Sequence, residues 1–252
     1  MKIDMPVAGQ VRQLVELWRM SFGDEEAFMD AFFTRGFSSR RCLCVTEGGT
    51  VTAALYWFPA QCEGKPIAYL YGVATHPEHR GRGLCRQLME KAHAHLRELG
   101  FRGCILVPQK EGLREMYRKL GYRDCGGLSE FFCTDGPYPA PIHAVDAGEY
   151  ARLRQELLPP GSVIQEDVNL DFLSTYAKFY KGMDFLMAAA PDGESLFAME
   201  YLGNRESAPG VLCALGFSQG TFRTPGGKKP FAMYLPLTQD APEPEYFAFA
   251  FD

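Results

Sequence analysis

Residues 75–91, THPEHRGRGLCRQLMEK, set a proline and two glycines directly before a stretch with helical periodicity. The same segment contains three arginines, Arg80, Arg82 and Arg86. The first backbone N–H groups of a helix have no intrahelical acceptor and lie at the positive end of the helix dipole. Gly81 and Gly83 lack the Cβ atoms that would keep a ligand away from those groups. The segment therefore predicts an anion site, most often one for phosphate. The competing interpretation is a surface turn with solvated arginines.

Two common nucleotide-binding loops do not fit this segment. A P-loop requires Gly-Lys-Ser/Thr after four intervening residues, and no such run occurs in the sequence. A dinucleotide-binding fingerprint would need glycine at position 86, which is Arg86. That fingerprint would also follow the first strand of its domain, whereas three predicted strands precede this loop.

The elements in front of the loop follow from periodicity and turn residues. Helices are predicted over 11–22 and 23–33, the second with Asp24 as its N-cap. A β-hairpin is predicted over 41–61 with its turn at Gly48-Gly49, and a third strand is predicted over 65–77, where Pro77 ends it.

Behind the loop, a helix is predicted over about 82–99, ending at Gly100. Its apolar stripe consists of Leu84, Leu88, Ala92, Leu96 and Leu99. A strand over 102–108, a helix over 111–122 and a strand over 128–135 complete the first half, which is of the α/β (α+β) class.

The second half is interpreted as a weak repeat of the first that lacks a counterpart of residues 66–107, including the arginine-glycine loop. The alternative is that the similar order of elements is a coincidence. A proline-rich linker over 134–142 divides the chain into domains at 1–135 and 143–252. Helices are predicted over 146–158 and 166–182, then a hairpin over 183–203 turning at Asp192-Gly193, and a short helix and two strands over 211–237. YRKLGY (117–122) and LCALGF (212–217) are the matching pieces.

Arg80-Gly81-Arg82-Gly83-Leu84-Cys85 resembles the Arg/Gln-x-x-Gly-x-Gly/Ala signature of the GNAT superfamily of N-acetyltransferases. Downstream, REMYRKLGYRD resembles that family's LYxKxGF segment, and the element order of the first half is similar too. The resemblance implies a mixed, mostly antiparallel sheet flanked by helices, plus a smaller degenerate GNAT-like domain. Two positions depart from the pattern: Cys85 replaces Gly or Ala, and Lys110 stands where Asn is frequent.

The resemblance implies acetyl-CoA as co-substrate, with its pyrophosphate on the N–H groups of residues 80–85. The strand before the loop is expected to splay from its neighbour near Val73 to Thr75 and to pair with the pantetheine arm. A backbone N–H at Val73 or Ala74 would stabilise the oxyanion. The expected cofactor-binding residues are Val73, Ala74, Thr75, Arg80, Gly81, Arg82, Gly83, Leu84, Cys85 and Lys110.

Tyr117 is the expected general acid toward the leaving thiolate, and a packed helix residue is the alternative. Phenol titrates near ~10 and a thiol near ~8.5, so full proton transfer is uphill by roughly 2 kcal/mol. If proton transfer matters, Tyr117→Phe is predicted to lower kcat by about 10²–10⁴. The general base is left open among His76, Glu130, a water relayed through Tyr69 or Tyr71, and the terminal carboxylate of Asp252.

Charge, cysteine spacing and apolar runs argue against nucleic-acid, metal and membrane roles. The net charge of −5 divides into +2 for residues 1–135 and −7 for 136–252, which argues against nucleic acid as a partner. The eight cysteines contain no CxxC pair, and His93 and His95 lie on different helix faces, so no metal is expected. With neither a signal peptide nor an apolar run of membrane length, a cytoplasmic location and no membrane contact are expected.

The expected function is an N-acetyltransferase acting on a small-molecule amine. The acidic second half favours a cationic acceptor, and a homodimer is left open. The alternatives are a non-catalytic acyl-CoA-binding or regulatory module, and an acyltransferase using another acyl-CoA or a hydroxyl acceptor.

Overall fold

The computed structural model describes residues 1–165 and 167–251, without the side chains of 228 and 229. It forms two compact units. The first contains residues 1–123 and 233–242, and the second contains 124–232 and 243–252. The predicted linker over 134–142 thus lies inside the second unit. In the described part of the chain, no helix combines the length and apolarity needed to cross a membrane.

Between residues 11 and 122, the first unit follows the predicted order of elements. The strand over 2–4 was not predicted, and the strand predicted over 128–135 is observed as Arg123–Thr134, which belongs to the second unit except for its first residue. Its helices are α1 (Val11–Phe22), α2 (Glu26–Ala31), α3 (Leu84–Glu98) and α4 (Glu111–Lys119). Its strands are β1 (Lys2–Asp4), β2 (Cys42–Glu47), β3 (Thr50–Cys62), β4 (Lys65–Thr75) and β5 (Gly103–Leu106). The Gly48-Gly49 turn joins β2 to β3 with both glycines at positive φ, as such hairpin turns require.

The sheet of the first unit is mixed. Strands β1 to β4 are antiparallel in sequence order, whereas β5 runs parallel to β4 over Ile67–Tyr69. On its other side β5 pairs antiparallel with Met233–Pro236, which come from the far end of the chain. One face of this sheet packs on α3 through Leu84, Leu88, Met89, Ala92 and Leu96. The sheet and α3 together support the loop over 76–83.

The second unit contains β6 (Arg123–Thr134), β7 (His143–Val145), α5 (Ala147–Leu157), β8 (Val163–Ile164), α6 (Val168–Leu173), β9 (Lys178–Lys181), β10 (Phe185–Asp192), β11 (Ser195–Gly203), α7 (Ala208–Leu215) and most of β12 (Gln219–Pro236). Its sheet has the order β12-β11-β10-β9-β7, and β6 also pairs with β12. Inside it, Arg154 and Glu200 form a buried ion pair at 2.6 Å.

Two predictions in the first unit were wrong. Asp24 does not cap α2, because its carboxylate accepts a hydrogen bond from the indole Nε1 of Trp18 at 2.8 Å and the N-cap is Glu25. Leu99 is 55% exposed rather than buried. The helix ends at Glu98, so Leu99 no longer continues the apolar stripe.

Two predictions in the second unit were also wrong. The helix expected over 166–182, whose first residue lies outside the described part, ends at Leu173. The Thr175 hydroxyl then donates to the Phe172 carbonyl at 2.7 Å, a local bond that competes with helix continuation, and 178–181 form β9. The two strands expected near the C-terminus are one strand, β12, with Gly226 and Gly227 inside it.

Candidate active site

The arginine-glycine loop connects the end of β4 to α3. Gly81 and Gly83 both adopt left-handed backbone conformations, with φ of 74° and 77°, which side chains other than glycine rarely tolerate. The helix therefore begins at Leu84, two residues later than predicted. Its first backbone bond runs from the N–H of Gln87 to the carbonyl of Gly83, at 3.1 Å. The N–H groups of 84–86 consequently have no intrahelical acceptor, which is the arrangement of an anion site.

A cavity of about 670 Å³ lies against this loop and belongs entirely to the first unit. Of the eleven residues predicted for the site, all except Arg82 line it. The other lining residues are Ser21, Phe22, His79, Arg86, Gln109, Leu113, Met116, Lys119 and Leu120. None of the described lining residues is acidic, whereas five are histidine, lysine or arginine. The cavity therefore suits an anionic ligand.

The guanidinium of Arg82 is engaged outside the cavity. It donates two hydrogen bonds to the carboxylate of Glu47, at 2.9 and 3.0 Å. The Nδ1 atom of His79 lies 3.2 Å from the same carboxylate. Burial alone would raise the pKa of Glu47, but Arg82 and His79 outweigh burial and hold that pKa below its usual range. Glu47 thus ties the loop to the β2–β3 hairpin.

The arginines and lysines that line the cavity differ in whether their charge is already paired with another protein group. Arg86 pairs with Glu90 at 2.8 Å on the surface, and the Nε of Arg80 donates to the carbonyl of Thr75 at 3.2 Å. Lys110 and Lys119 line the cavity from the two ends of α4 and form no ion pair within the described residues. These two lysines therefore supply positive charge that no ion pair among the described residues neutralises.

Strand β4 separates from β5 before it reaches the loop. Their parallel pairing covers Ile67 to Tyr69 and goes no further, although β4 continues to Thr75. Gly72 sits at a register shift against β3 with φ of 58°, and a Cβ there would lie 2.7 Å from Trp18. Beyond this bulge, residues 73–75 line the cavity. The backbone groups along this edge of β4 have no partner in β5.

Helix α4 forms the wall opposite the loop. Leu113, Met116, Tyr117 and Leu120 follow one helical stripe and all line the cavity. Tyr117 is only 6% exposed, and burial, with a smaller contribution from Cys85, raises its pKa well above the usual value. Tyr117 is therefore protonated throughout the physiological range, and its hydroxyl is a hydrogen-bond donor.

Residues 4–125 match the family model described as the acetyltransferase (GNAT) domain. The match covers slightly less than half of the chain. Among curated proteins, none matches the chain in sequence.

Solved GNAT structures share the fold over nearly the whole chain. A GCN5-related N-acetyltransferase from Anabaena variabilis is 15% identical with a TM-score of 0.76, covering 94% of this chain and 73% of its own. One from Kribbella flavida is 18% identical with a TM-score of 0.70, covering 94% and 72%. A tandem GNAT protein from the clavulanic acid biosynthesis pathway is 12% identical with a TM-score of 0.59, covering 95% and 99%. The predicted GNAT fold with a second GNAT-like half is confirmed.

The bases considered from the sequence do not meet in the cavity of the GNAT domain. His76 accepts a hydrogen bond from the N–H of Glu78 at 3.3 Å, and it is not a lining residue. Tyr69 and Tyr71 pack with Phe58 in an aromatic cluster. In the second unit, Glu130 accepts from Arg223 at 2.8 Å, and Asp252 lies outside the described residues.

The sequence also left several residues of the GNAT domain unassigned. Ser21 and Phe22 at the end of α1 line the cavity, as do Leu113 and Met116. The i, i+3, i+4 spacing of 113, 116 and 117 was visible as a helical stripe, but the sequence did not say what that stripe faces. Nothing in the sequence pointed to Glu47, because its partner Arg82 is 35 residues away.

Proposed function

We propose that this protein transfers an acetyl group from acetyl-CoA to a primary amine by direct attack. The observation that carries the proposal is the cavity between the glycine loop and Tyr117, lined by cations and without a carboxylate. Residues 84–86 would receive the pyrophosphate on their N–H groups, while Lys110 and Lys119 add positive charge. The edge of β4 at residues 73–75, where β5 no longer pairs with it, would hold the pantetheine arm, and an N–H of Val73 or Ala74 would stabilise the oxyanion.

Direct attack is favoured over an acyl-enzyme by the state of the thiol in the cavity. Cys85 is the cysteine that lines it, and burial raises the pKa of this thiol. A protonated thiol is a poor nucleophile at neutral pH. The acceptor amine is therefore the attacking group, and the Tyr117 hydroxyl donates a hydrogen bond to the thiolate that leaves.

The acceptor has to arrive without its proton or lose it to a group other than a carboxylate of this cavity. No described lining residue is a carboxylate that could take the proton. We propose a small-molecule amine as acceptor and a cytoplasmic setting, with residues 1–135 as the catalytic domain. The missing carboxylate also favours the second candidate function, a regulatory module that binds acyl-CoA without turnover.

The first test is calorimetric titration with acetyl-CoA and CoA. Wild type is expected to bind with a micromolar Kd, and Gly83→Glu is expected to lose binding because it places a carboxylate at the pyrophosphate site. Gly100→Glu is the matched control, since Gly100 also has positive φ and open space but lies at the other end of α3. Equal binding by both variants would refute the loop as the phosphate site.

A turnover assay then separates the two candidate functions. Thiol release from acetyl-CoA is measured with a panel of primary amines, hydroxyl acceptors and longer acyl-CoA donors. Amine-dependent release supports acetyl transfer. Tight binding without release on any acceptor would replace it with the regulatory function.

A further inference from the structure

A buried tyrosine and histidine stand directly behind Tyr117. The hydroxyl of Tyr122 and the Nε2 of His93 share a hydrogen bond of 2.8 Å. Both residues are in the core, with Tyr122 3% and His93 8% exposed. Tyr122 occupies the last position of the LYxKxGF pattern, where phenylalanine would fill the same space without a hydroxyl. The hydrogen bond is thus an addition that packing alone does not require.

Tyr122 contacts Tyr117 by both its backbone and its ring. The N–H of Tyr122 donates to the carbonyl of Tyr117 at 3.1 Å, across the turn that ends α4. The two rings lie edge to face, with centroids 5.6 Å apart and an interplanar angle of 62°. The Tyr122 ring is therefore one wall of the space that the Tyr117 ring occupies.

His93 fixes the position of the Tyr122 ring. Its ring projects from α3, the helix that begins at the glycine loop, and lies 5.6 Å from the Tyr122 ring. Burial, with the charge of Arg97, lowers the pKa of His93 to about 4, so the imidazole is neutral at neutral pH. Breaking this bond would leave the Nε2 of His93 without its hydrogen-bond partner in a buried site, which is costly, so the bond holds the two rings in place.

We propose that His93 and Tyr122 are positioning residues that hold the Tyr117 hydroxyl at the reacting sulfur. The chain of contacts runs from α3 through His93 and Tyr122 to Tyr117, and it fixes α4 against the helix that carries the anion site. This inference rests on the proposed function, since it assigns a purpose to the position of Tyr117. Small displacements of a catalytic group are costly, so the pair is expected to affect turnover rather than affinity.

The test is a double-mutant cycle on kcat. Tyr122→Phe keeps the ring and removes the hydroxyl, and it is expected to lower kcat about tenfold with KM for acetyl-CoA within about twofold. If Tyr122 acts through Tyr117, the double variant Tyr117→Phe/Tyr122→Phe loses no more than Tyr117→Phe alone. Losses that multiply would overturn the inference, because a general loss of structure acts independently of Tyr117.

Two further variants keep the result interpretable if Tyr122→Phe folds poorly. His93→Leu removes the partner and is expected to match the kcat loss of Tyr122→Phe. His93→Gln can place an amide near the Nε2 position and is expected to recover most of the activity. If His93→Gln and His93→Leu lose kcat equally, the hydrogen bond does not position Tyr117.

The control for stability is Tyr201→Phe in the second unit. Tyr201 is also fully buried, and its hydroxyl donates to the carbonyl of Asn204 at 2.7 Å. This variant is expected to lose similar stability with kcat unchanged, and an equal kcat loss would overturn the inference. Absence of turnover in wild type would refute the proposed function itself, which separates that failure from this one.

Discussion

The structure narrows the loss in kcat that is expected when the Tyr117 hydroxyl is removed. With ordinary pKa values, full proton transfer from the phenol to a thiolate is uphill by roughly 2 kcal/mol. Burial raises the pKa of Tyr117 further and so widens this gap. Complete transfer in the transition state is therefore disfavoured, and we expect the hydroxyl to act as a hydrogen-bond donor to the developing thiolate.

A hydrogen bond to a charged group is worth about 1.5–3 kcal/mol. Tyr117→Phe keeps the ring, its contacts with Tyr122 and the shape of the cavity, and it removes only this bond. The predicted loss in kcat is therefore about 10- to 150-fold, which lies mostly below the 10²–10⁴ predicted from the sequence for full proton transfer. KM for acetyl-CoA should change little, because the bond forms to charge that develops only during the reaction.

The assay is steady-state thiol release across pH 6–9.5 for wild type, Tyr117→Phe and the control Tyr201→Phe. Because the pKa of Tyr117 is raised, no descending limb due to Tyr117 is expected in this range. The reasoning would be refuted by a loss below about threefold. It would equally be refuted by a descending limb that is present in wild type and absent in Tyr117→Phe.

Three further predictions concern buried or bridging charges. Glu47→Gln removes the bidentate partner of Arg82, loosens the loop and is expected to raise the Kd for acetyl-CoA about two- to fivefold by titration. The imidazole of His93 is neutral in the folded protein and can be protonated in the unfolded chain. The free energy of unfolding, measured by urea titration, is therefore expected to fall by about 3 kcal/mol from pH 6.5 to pH 4. The variant His93→Gln is expected to lack this part of the acid-induced loss. Glu200→Gln leaves Arg154 charged and buried, and it is expected to cost about 3–5 kcal/mol in the free energy of unfolding.

Each of these predictions has a matched control. For Glu47→Gln it is Glu90→Gln, which removes only the exposed pair with Arg86, and a lower Kd for Glu47→Gln would show instead that Glu47 withholds a phosphate-binding arginine. For His93→Gln it is the exposed His143→Gln, and an acid-induced loss in His93→Gln as large as in wild type would contradict the assignment. For Glu200→Gln it is Glu156→Gln in an exposed pair with Arg152, and equal effects would contradict the role of burial.

Much of the first unit was predictable because its signals are local. The Gly-Gly hairpin, the α1 stripe and the glycine-loop-helix junction depend on neighbouring residues and on backbone conformations that glycine alone adopts readily. The bounds of α3 were less predictable. Arginine is a residue type that helices accept, so the sequence placed the start of the helix at Arg82. Because Gly83 adopts a left-handed conformation, the helix begins only at Leu84.

The second unit shows where local signals fail. The helix predicted over 166–182 included residues 178–181, yet these form a strand because they pair with β7 on one side and β10 on the other. The two aromatic residues in this segment are compatible with a strand, and the pairing decides between the two structures. The linear domain division at 134–142 likewise did not anticipate that residues 233–236 pair with β5 in the first unit.

By itself, the sequence determined the glycine loop, the helix that carries Tyr117 and the similarity of residues 4–125 to the GNAT domain. These features reside in contiguous residues, where spacing and backbone preference act directly. The tertiary structure alone decided that Arg82 turns to Glu47 and that His93 meets Tyr122. It also placed the separation of β4 from β5 directly after Tyr69, whereas the family resemblance implied a splay near Val73 to Thr75. Those relations join residues 29 to 36 positions apart. They depend on the order of strands and on the packing of α3 and α4, which the periodicity of the sequence does not reveal.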